Sequence, residues 1–433
     1  MDCGDLISNL PDDILGKVLS LLPTKLAVST SVLSKRWRNL FLLVDNFDVE
    51  DSATSTGGFT DFMEKTVALF NTTRPIKRLS LHGGGYETSL VNRWIQSALE
   101  RGCLELSLQR HPYEHSIDIS IFSSNRLVKL TLSDRTILEG DAPPKGTVYF
   151  PALRTLSLGE IEIDPFLYTW LISGSPGLEE LFIRDAEDYW GATWKGYVLS
   201  DSIKRLTISF HVPEDSFAFG DVAVLETPSL VFLDYSALVS KGYTIDDMDS
   251  LVEARLDLRT WSFYFGDVTN LVNAIRNVKT LHLSSYTLEA LRMCCDTMPV
   301  FYRLRHLSFE SDKEIGWQSL PRLLESSPNL QTLVIKGLLH EVTRKCGNAC
   351  CCISKLKYKE SCCLSASRVR VLEISGYGGR IKELKQMRHF LGKMKYLETV
   401  KISVEEKSKK KKYLRANIMS LHRASSKCNI HFI

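Results

Sequence analysis

The sequence has almost no surplus of charge. Across 433 residues, 54 lysines and arginines stand against 51 aspartates and glutamates, a net of +3. That balance gives no argument for nucleic acid or an anionic membrane as partner. No uninterrupted apolar run approaches the roughly 18 residues that a membrane span needs. The first residues lack the basic-then-apolar pattern of a secretory signal, so the nucleus and/or cytoplasm is the expected location. The 11 cysteines are odd in number and several are adjacent. In that setting reduced thiols are expected, not a disulfide framework.

Catalytic constellations are missing as well. Gly83-Gly84-Gly85 is not followed by the Gly-Lys-Ser/Thr of a phosphate loop. His111 and His115 have helical metal spacing, but Pro112 between them weakens a helix. No glutamate adjoins the first histidine, as a zinc hydrolase requires. Six thiols (Cys346, Cys350, Cys351, Cys352, Cys362 and Cys363) fall within 18 positions, yet without the paired C-x-x-C spacing of a zinc site. The default reading is a reduced loop, with no metal and no cofactor. Lys407 and Lys409–Lys412 read as a solvated basic loop, with a nuclear import signal as the alternative.

What is present begins near the N-terminus. Pro11 suits a helix start, and Asp12 and Asp13 follow where negative charge favours the helix dipole. Ile14, Leu15, Val18, Leu19 and Leu22 recur at helical spacing and predict one apolar stripe. Pro23 ends that helix, Thr24 is placed to cap the next, and a third short helix would carry Trp37. A unit this small buries too little surface to stand alone. These blocks, Leu10-Pro11-Asp12, Leu21-Leu22-Pro23-Thr24-Lys25 and Leu33-Ser34-Lys35-Arg36-Trp37-Arg38, resemble the plant form of the F-box over residues 5–42. Leu26 and Phe41 depart from its usual polar residue and Trp. The resemblance implies docking to the Skp-type adaptor of a cullin–RING ubiquitin ligase through Leu10, Pro11, Ile14, Leu15, Val18, Leu22, Pro23, Val32, Leu33 and Trp37.

After residue 75 a Leu-x-Leu pair recurs about every 25 residues, the period of leucine-rich repeats. Examples are Leu79/Leu81, Leu106/Leu108, Leu130/Leu132, Leu156/Leu158, Leu256/Leu258 and Leu281/Leu283. Proline stands two residues before an apolar position at Pro151-x-Leu153, Pro176-x-Leu178, Pro228-x-Leu230 and Pro328-x-Leu330, and is read as the start of each strand. One repeat cannot bury its apolar side, whereas stacked neighbours form a continuous core. Phe166–Ile172 and Leu320–Leu324 are predicted backing helices. Trp170, Trp317, Cys294 and Cys295 are predicted packing residues.

Side chains alternate along a strand, so the residues between the leucines face outward. Early units offer Ser80, His82, Ser107, Gln109, Thr131 and Ser133. Later units offer Phe182, Arg184, Asp234, Asp257, Arg259, His282, Glu310 and Lys336, the candidate target-binding set, with Phe182, Arg184 and Arg259 as anchors. Residues 345–433, with Val369–Gly379, a helix over 381–391 and Leu397–Ile402, resemble the FBD module that ends many plant F-box/leucine-rich-repeat proteins. They read as a cap of two further strand units.

The expected fold is therefore α/β. It comprises a three-helix F-box (1–45), a connecting segment (46–75), a leucine-rich-repeat solenoid with a curved parallel sheet backed by helices (76–345), and an FBD-like cap (346–433). The expected function is non-catalytic: the substrate-recognition subunit of an SCF-type ubiquitin ligase, acting by effective concentration. Three alternatives stand beside it. One is a hormone-like small-molecule receptor in the same ligase, needing a basic pocket from Arg184, Arg259 and Lys336. The others are a repeat scaffold without ligase association and a hydrolase using the histidines or cysteines.

Overall fold

A computed structural model describes residues 7, 9–50, 76–83, 88–109, 116–140, 150–185, 193–210, 222–260, 266–341, 363–404 and 411–433. His111, His115, Lys407 and the cysteine-rich stretch 346–362 lie outside the described residues. The chain divides into two compact units, Met1–Ile203 and Lys204–Ile433.

The first unit opens with helices α1 (Asp12–Leu19), α2 (Thr24–Ser29) and α3 (Lys35–Leu40). Asp12 and Asp13 occupy the first turn of α1 and Lys17 the last, matching the helix dipole at both ends. Pro11 and Pro23 stand just before α1 and α2, and neither helix has a side-chain cap bond. Thr24 therefore does not cap α2. Its hydroxyl is buried and accepts a bond from the Asp48 N–H at 2.8 Å. Ser20 Oγ donates to the Gly16 carbonyl at 2.9 Å and accepts from Asp45 N–H at 3.2 Å. Arg36 Nε donates to Asp12 Oδ1 at 2.8 Å, tying α3 to α1.

Those bonds seat the helices on strand β1 (Asn46–Glu50), which pairs in parallel with β2 (Arg78–His82). The sheet thus begins inside the stretch expected to be a connector. It continues in parallel through β3 (Glu105–Gln109), β5 (Lys129–Ser133), β7 (Thr155–Gly159) and β9 (Glu180–Arg184). Short strands β4 (Ser116–Asp118), β6 (Ile137–Glu139) and β8 (Glu162–Ile163) form a second parallel sheet. Helices α4 (Thr88–Glu100) and α5 (Pro165–Ser173) lie between ladder strands in the chain, and the unit ends beyond a short strand, β10 (Tyr197–Leu199). Asp164 caps α5 by accepting from Phe166 N–H at 2.7 Å, with Pro165 at its first position.

The second unit carries the parallel strands β11 (Arg205–Ser209), β13 (Phe232–Leu238), β15 (Glu253–Arg259), β16 (Thr280–Leu283), β17 (His306–Glu310), β18 (Thr332–Lys336), β19 (Val371–Tyr377), β20 (Thr399–Val404) and β21 (Asn429–Phe432), each paired with the next. Strands β12 (Val222–Glu226) and β14 (Gly242–Ile245) pair apart from them. The helices are α6 (Thr269–Ala274), α7 (Ser285–Met293), α8 (Leu320–Glu325), α9 (Cys363–Ala366), α10 (Ile381–Lys393) and α11 (Lys411–Met419). The C-terminal segment contributes three strands to this ladder, one more than the two expected of a cap.

The alternating burial explains the repeat. Leu79, Leu81, Leu106, Leu108, Leu130, Leu132, Leu156 and Leu158 are all buried, with partly exposed residues between them. The recurrent prolines have a different place from the expected one. Leu153, Leu178, Leu230 and Leu330 each donate a backbone N–H to the residue just before the proline, at 3.0 to 3.2 Å. Proline is thus the second residue of a turn, where its fixed φ fits, and the strand starts four residues after it. The same turn closes without proline at Phe301–Leu304 and Ile275–Val278. Trp317 is fully buried with its Nε1 donating to Ser311 Oγ at 3.1 Å, and Cys294 and Cys295 are buried. Trp170 is half-buried.

Candidate functional site

The first candidate surface lies on the N-terminal helices. The stripe expected on α1 is two faces. Leu15 and Leu19 point inward and are fully buried or nearly so, together with Gly16. A Cβ at Gly16 would stand 2.6 Å from Leu43 Cβ, so α1 packs against that residue at a distance only glycine permits. Ile14 and Val18 point the other way and are exposed. Leu15 therefore belongs to the interior and not to a docking face. The reason is geometric: adjacent residues on a helix sit about 100° apart, and the inner side takes Leu15, Gly16 and, one turn on, Leu19.

Of the remaining candidate positions, Leu10, Pro11, Pro23, Val32 and Leu33 are exposed, while Leu22 and Trp37 are half-buried. Sequence reasoning passed over Leu21, which is 82% exposed, and did not place Leu26 on the face, although it too is exposed. Leu21 continues the Ile14 and Val18 row at i+7, but the expected stripe runs on to Leu22 instead and leaves it out. The outcome is a set of exposed aliphatic side chains from α1, the turn after it, α2 and the segment Val32–Leu33, namely Ile14, Val18, Leu21, Leu26, Val32 and Leu33, while α1 and α2 bury Leu15, Leu19 and Ala27 on their inner sides. Large aliphatic side chains exposed together in one short stretch of a folded chain point to an interaction site.

The second candidate surface is the outward side of the strands, and each unit has its own. In the first unit register aligns Ser80, Ser107, Thr131, Ser157 and Phe182 in one row, a run of hydroxyls ending in an aromatic ring. Arg184 lies in the next row beside Gly159 and is exposed. Arg78 and Glu105 form an ion pair at 2.6 Å along the opposite row.

In the second unit the register aligns Asp234, Arg255, His282, Ser308, Val334, Glu373 and Lys401. Arg255 was missed because Leu256/Leu258 passed for the repeat pair. Ala254 pairs with Leu281 and Leu256 with Leu283, so the inward pair of this repeat is Ala254/Leu256. The small alanine disguised it. Asp257 and Arg259 consequently sit two residues further along, Asp257 beside Ser236 and Arg259 beside Leu238.

The electrostatics are largely local. Arg255 binds Glu253 at 2.8 Å, and Arg205 and Arg255 both lie over the Phe232 ring, at 4.1 and 5.3 Å from its centroid. Burial pushes the Asp234 carboxyl up, against the pull of Arg255. His282 and His306, with ring centroids 5.7 Å apart, are both held below the usual histidine range by burial. Arg259 pairs with Asp257 at 3.6 Å, and Lys336 with Glu310 at 3.0 Å. Two of the three cations expected for a basic ligand pocket are therefore neutralised by neighbouring carboxylates. The described residues hold no group of three metal-ligating side chains.

Comparison with known proteins matches the N-terminal helices and part of the strand repeat. A family model described as F-box domain matches residues 7–48. A second, described as "FBD-associated F-box protein At5g56370, LRR repeats", matches residues 91–244. Among Arabidopsis thaliana proteins, the chain is 60% identical over 461 residues to "F-box/LRR-repeat protein At5g35995", covering all of both chains. It is 49% identical over 463 residues to "F-box protein At4g27050", covering 99% of each. It is 47% identical over 485 residues to "F-box/LRR-repeat protein At1g48400", covering 99% of this chain and 98% of that one. With helices that present an apolar face, strands that repeat every Leu-x-Leu, and identity sustained from end to end, the chain belongs to the plant family of FBD-associated F-box/leucine-rich-repeat proteins.

Proposed function

We propose that the protein is the substrate-recognition subunit of an SCF-type ubiquitin ligase. It docks a Skp-type adaptor through the outward aliphatic residues of α1, α2 and the segment Val32–Leu33. It holds a target protein on the outward rows of its strands. One observation carries the reading: the N-terminal segment leaves Ile14, Val18, Leu21, Leu26, Val32 and Leu33 exposed to solvent while Leu15, Leu19 and Ala27 are buried. Leaving that much aliphatic surface wet is unfavourable by about 25 cal/mol per Å², and a protein partner relieves it.

The chain itself makes or breaks no bond in this scheme. It raises the concentration of the target beside the ubiquitin-loaded enzyme, which supplies large rate factors without a catalytic side chain. The matching location is the nucleus and/or cytoplasm. Co-expression with a Skp-type adaptor should yield one complex on gel filtration. Full-length chain that elutes alone beside the adaptor refutes the reading.

A further inference from the structure

The C-terminal segment departs from the charge balance of the chain. Residues 363–433 hold 17 lysines and arginines against 5 acidic residues, a net of +12 in a chain whose total is only +3. The residues before them therefore carry a net of −9. Three of those carboxylates, Glu373, Glu383 and Glu398, lie among the described residues, and each is engaged. Glu373 binds Lys401 at 2.7 Å, and Glu398 lies 3.9 Å from Arg370. Glu383 is buried and accepts from Arg380 N–H at 2.7 Å.

Much of the surplus stands on one side of α10. The buried residues of this helix are Glu383, Gln386, Met387, Phe390 and Leu391. Away from them, Lys382, Lys385, Arg388 and Lys393 are exposed and His389 is half-buried. Their spacings of three and four residues make one column along the helix, and like charges so spaced destabilise it. Lys382 also lies in the first turn, where the helix dipole disfavours a cation. Among the described residues no carboxylate forms an ion pair with Lys382, Lys385, Arg388 or Lys393.

A second observation is independent of charge. A hollow of about 260 Å³ opens on this column, lined by Lys385, Arg388, His389, Gly392 and Lys393. Gly392 lies within the helix, where glycine is less favourable than alanine because of its backbone freedom. Nothing stands within 4 Å of where its Cβ would be, and its φ is not left-handed. Neither internal packing nor backbone geometry accounts for this glycine. Close approach of an outside group to the helix backbone does.

We propose that the exposed column of α10 docks an acidic segment of a partner protein, with one aspartate or glutamate side chain of that segment seated in the hollow at Gly392. The inference goes beyond the proposed function and does not rest on it. The hollow is smaller than the roughly 300–1,000 Å³ of small-molecule sites, so it takes one side chain of a larger partner. From Lys382 to Lys393 the column runs about 16 Å along the helix axis, and an extended segment rises about 3.3 Å per residue, so about five residues match it. Arg388 can take a carboxylate through two parallel N–H groups. A short acidic segment meets only these cations, whereas a long uniform polyanion also meets the −9 surplus of the rest of the chain.

The test uses the full-length chain and two fluorescein-labelled peptides, Gly-Glu-Glu-Asp-Glu-Glu-Gly and its neutral counterpart Gly-Gln-Gln-Asn-Gln-Gln-Gly, read by fluorescence anisotropy. The acidic peptide is expected to bind saturably at low salt and the neutral one at least about tenfold more weakly. The triple variant Lys385→Gln, Arg388→Gln, Lys393→Gln alters only exposed residues, so it should keep its melting temperature and lose at least about tenfold in affinity for the acidic peptide. Gly392→Leu leaves every charge in place and fills the hollow. Its melting temperature should be no lower than the parent's, because leucine is the better helix former, while its affinity should fall about fivefold or more. Equal binding of the two peptides, no saturable binding of the acidic one, or an unaffected triple variant overturns the proposal. So does a Gly392→Leu variant that binds like the parent, or one that melts lower and so assigns the glycine to packing. A DNA duplex or phosphatidylserine vesicles bound as tightly as the acidic peptide at the same salt would also overturn it, by showing a surface for any polyanion.

Discussion

Val32 and Leu33 give the sharpest test of the adaptor face. They are 84% and 64% exposed, so trimming both to alanine should leave stability within about 0.5 kcal/mol. Burial against a partner is worth about 0.8 kcal/mol per methylene-sized group. Val32→Ala removes two such groups and Leu33→Ala three. Scaled by their exposure, the losses are about 1.3 and about 1.5 kcal/mol. The double variant should therefore bind a Skp-type adaptor about a hundredfold more weakly, by surface plasmon resonance, with an unchanged melting curve. Leu15→Ala is the counterpart. That side chain is fully buried, so its loss should cost about 2–5 kcal/mol of stability and leave the affinity of the folded fraction intact. A double variant that binds within about threefold of the parent, a difference of only about 0.7 kcal/mol, would refute the face. So would a folded Leu15→Ala with a hundredfold deficit.

Three further outcomes are expected. Gly16→Ala places a methyl 2.6 Å from Leu43 Cβ and should cost about 1–3 kcal/mol by urea denaturation; a neutral result would mean α1 is not held against that residue. Burial pushes the Cys103 thiol up to about 11, so iodoacetamide at pH 8 should modify it only after unfolding, and labelling of the native chain at the rate of a free thiol would contradict that. His282, His306 and His340 are each held below the usual histidine range chiefly by burial. The unfolded chain therefore takes up more protons as pH falls below about 6.5, and stability present above that pH is lost toward the lower folded values. The melting temperature should be lower at pH 5.5 than at 7.5, and the triple variant to asparagine should shrink the difference. Asp185 and Asp234, raised by burial, act in the opposite sense; an undiminished pH dependence in the triple variant would clear the histidines.

The repeat was legible because its signal is redundant. Many Leu-x-Leu pairs share one spacing, and an error in one does not move the others. The error that did occur, at Ala254, shows the limit: burial depends on position in the register, not on residue size, and a small residue there sends the eye two places on. The F-box was legible as a motif but not as a surface. Helical periodicity says that Ile14, Leu15, Val18 and Leu19 share a side, and only packing against Leu43 decides which edge of that side is interior.

The bonds from Ser20 and Thr24 to the backbone of residues 45 and 48 bear on how the chain tolerates being cut. A sheet that ends in a naked strand offers unpaired amides and carbonyls to any passing chain, and this invites aggregation. Here a threonine hydroxyl from α2 occupies one of those amides on β1. Excising the first 45 residues as a separable domain would strip that cover, and cutting a few residues later would bare β2 instead. The helices that face a partner on one side thus guard the sheet's flank on the other.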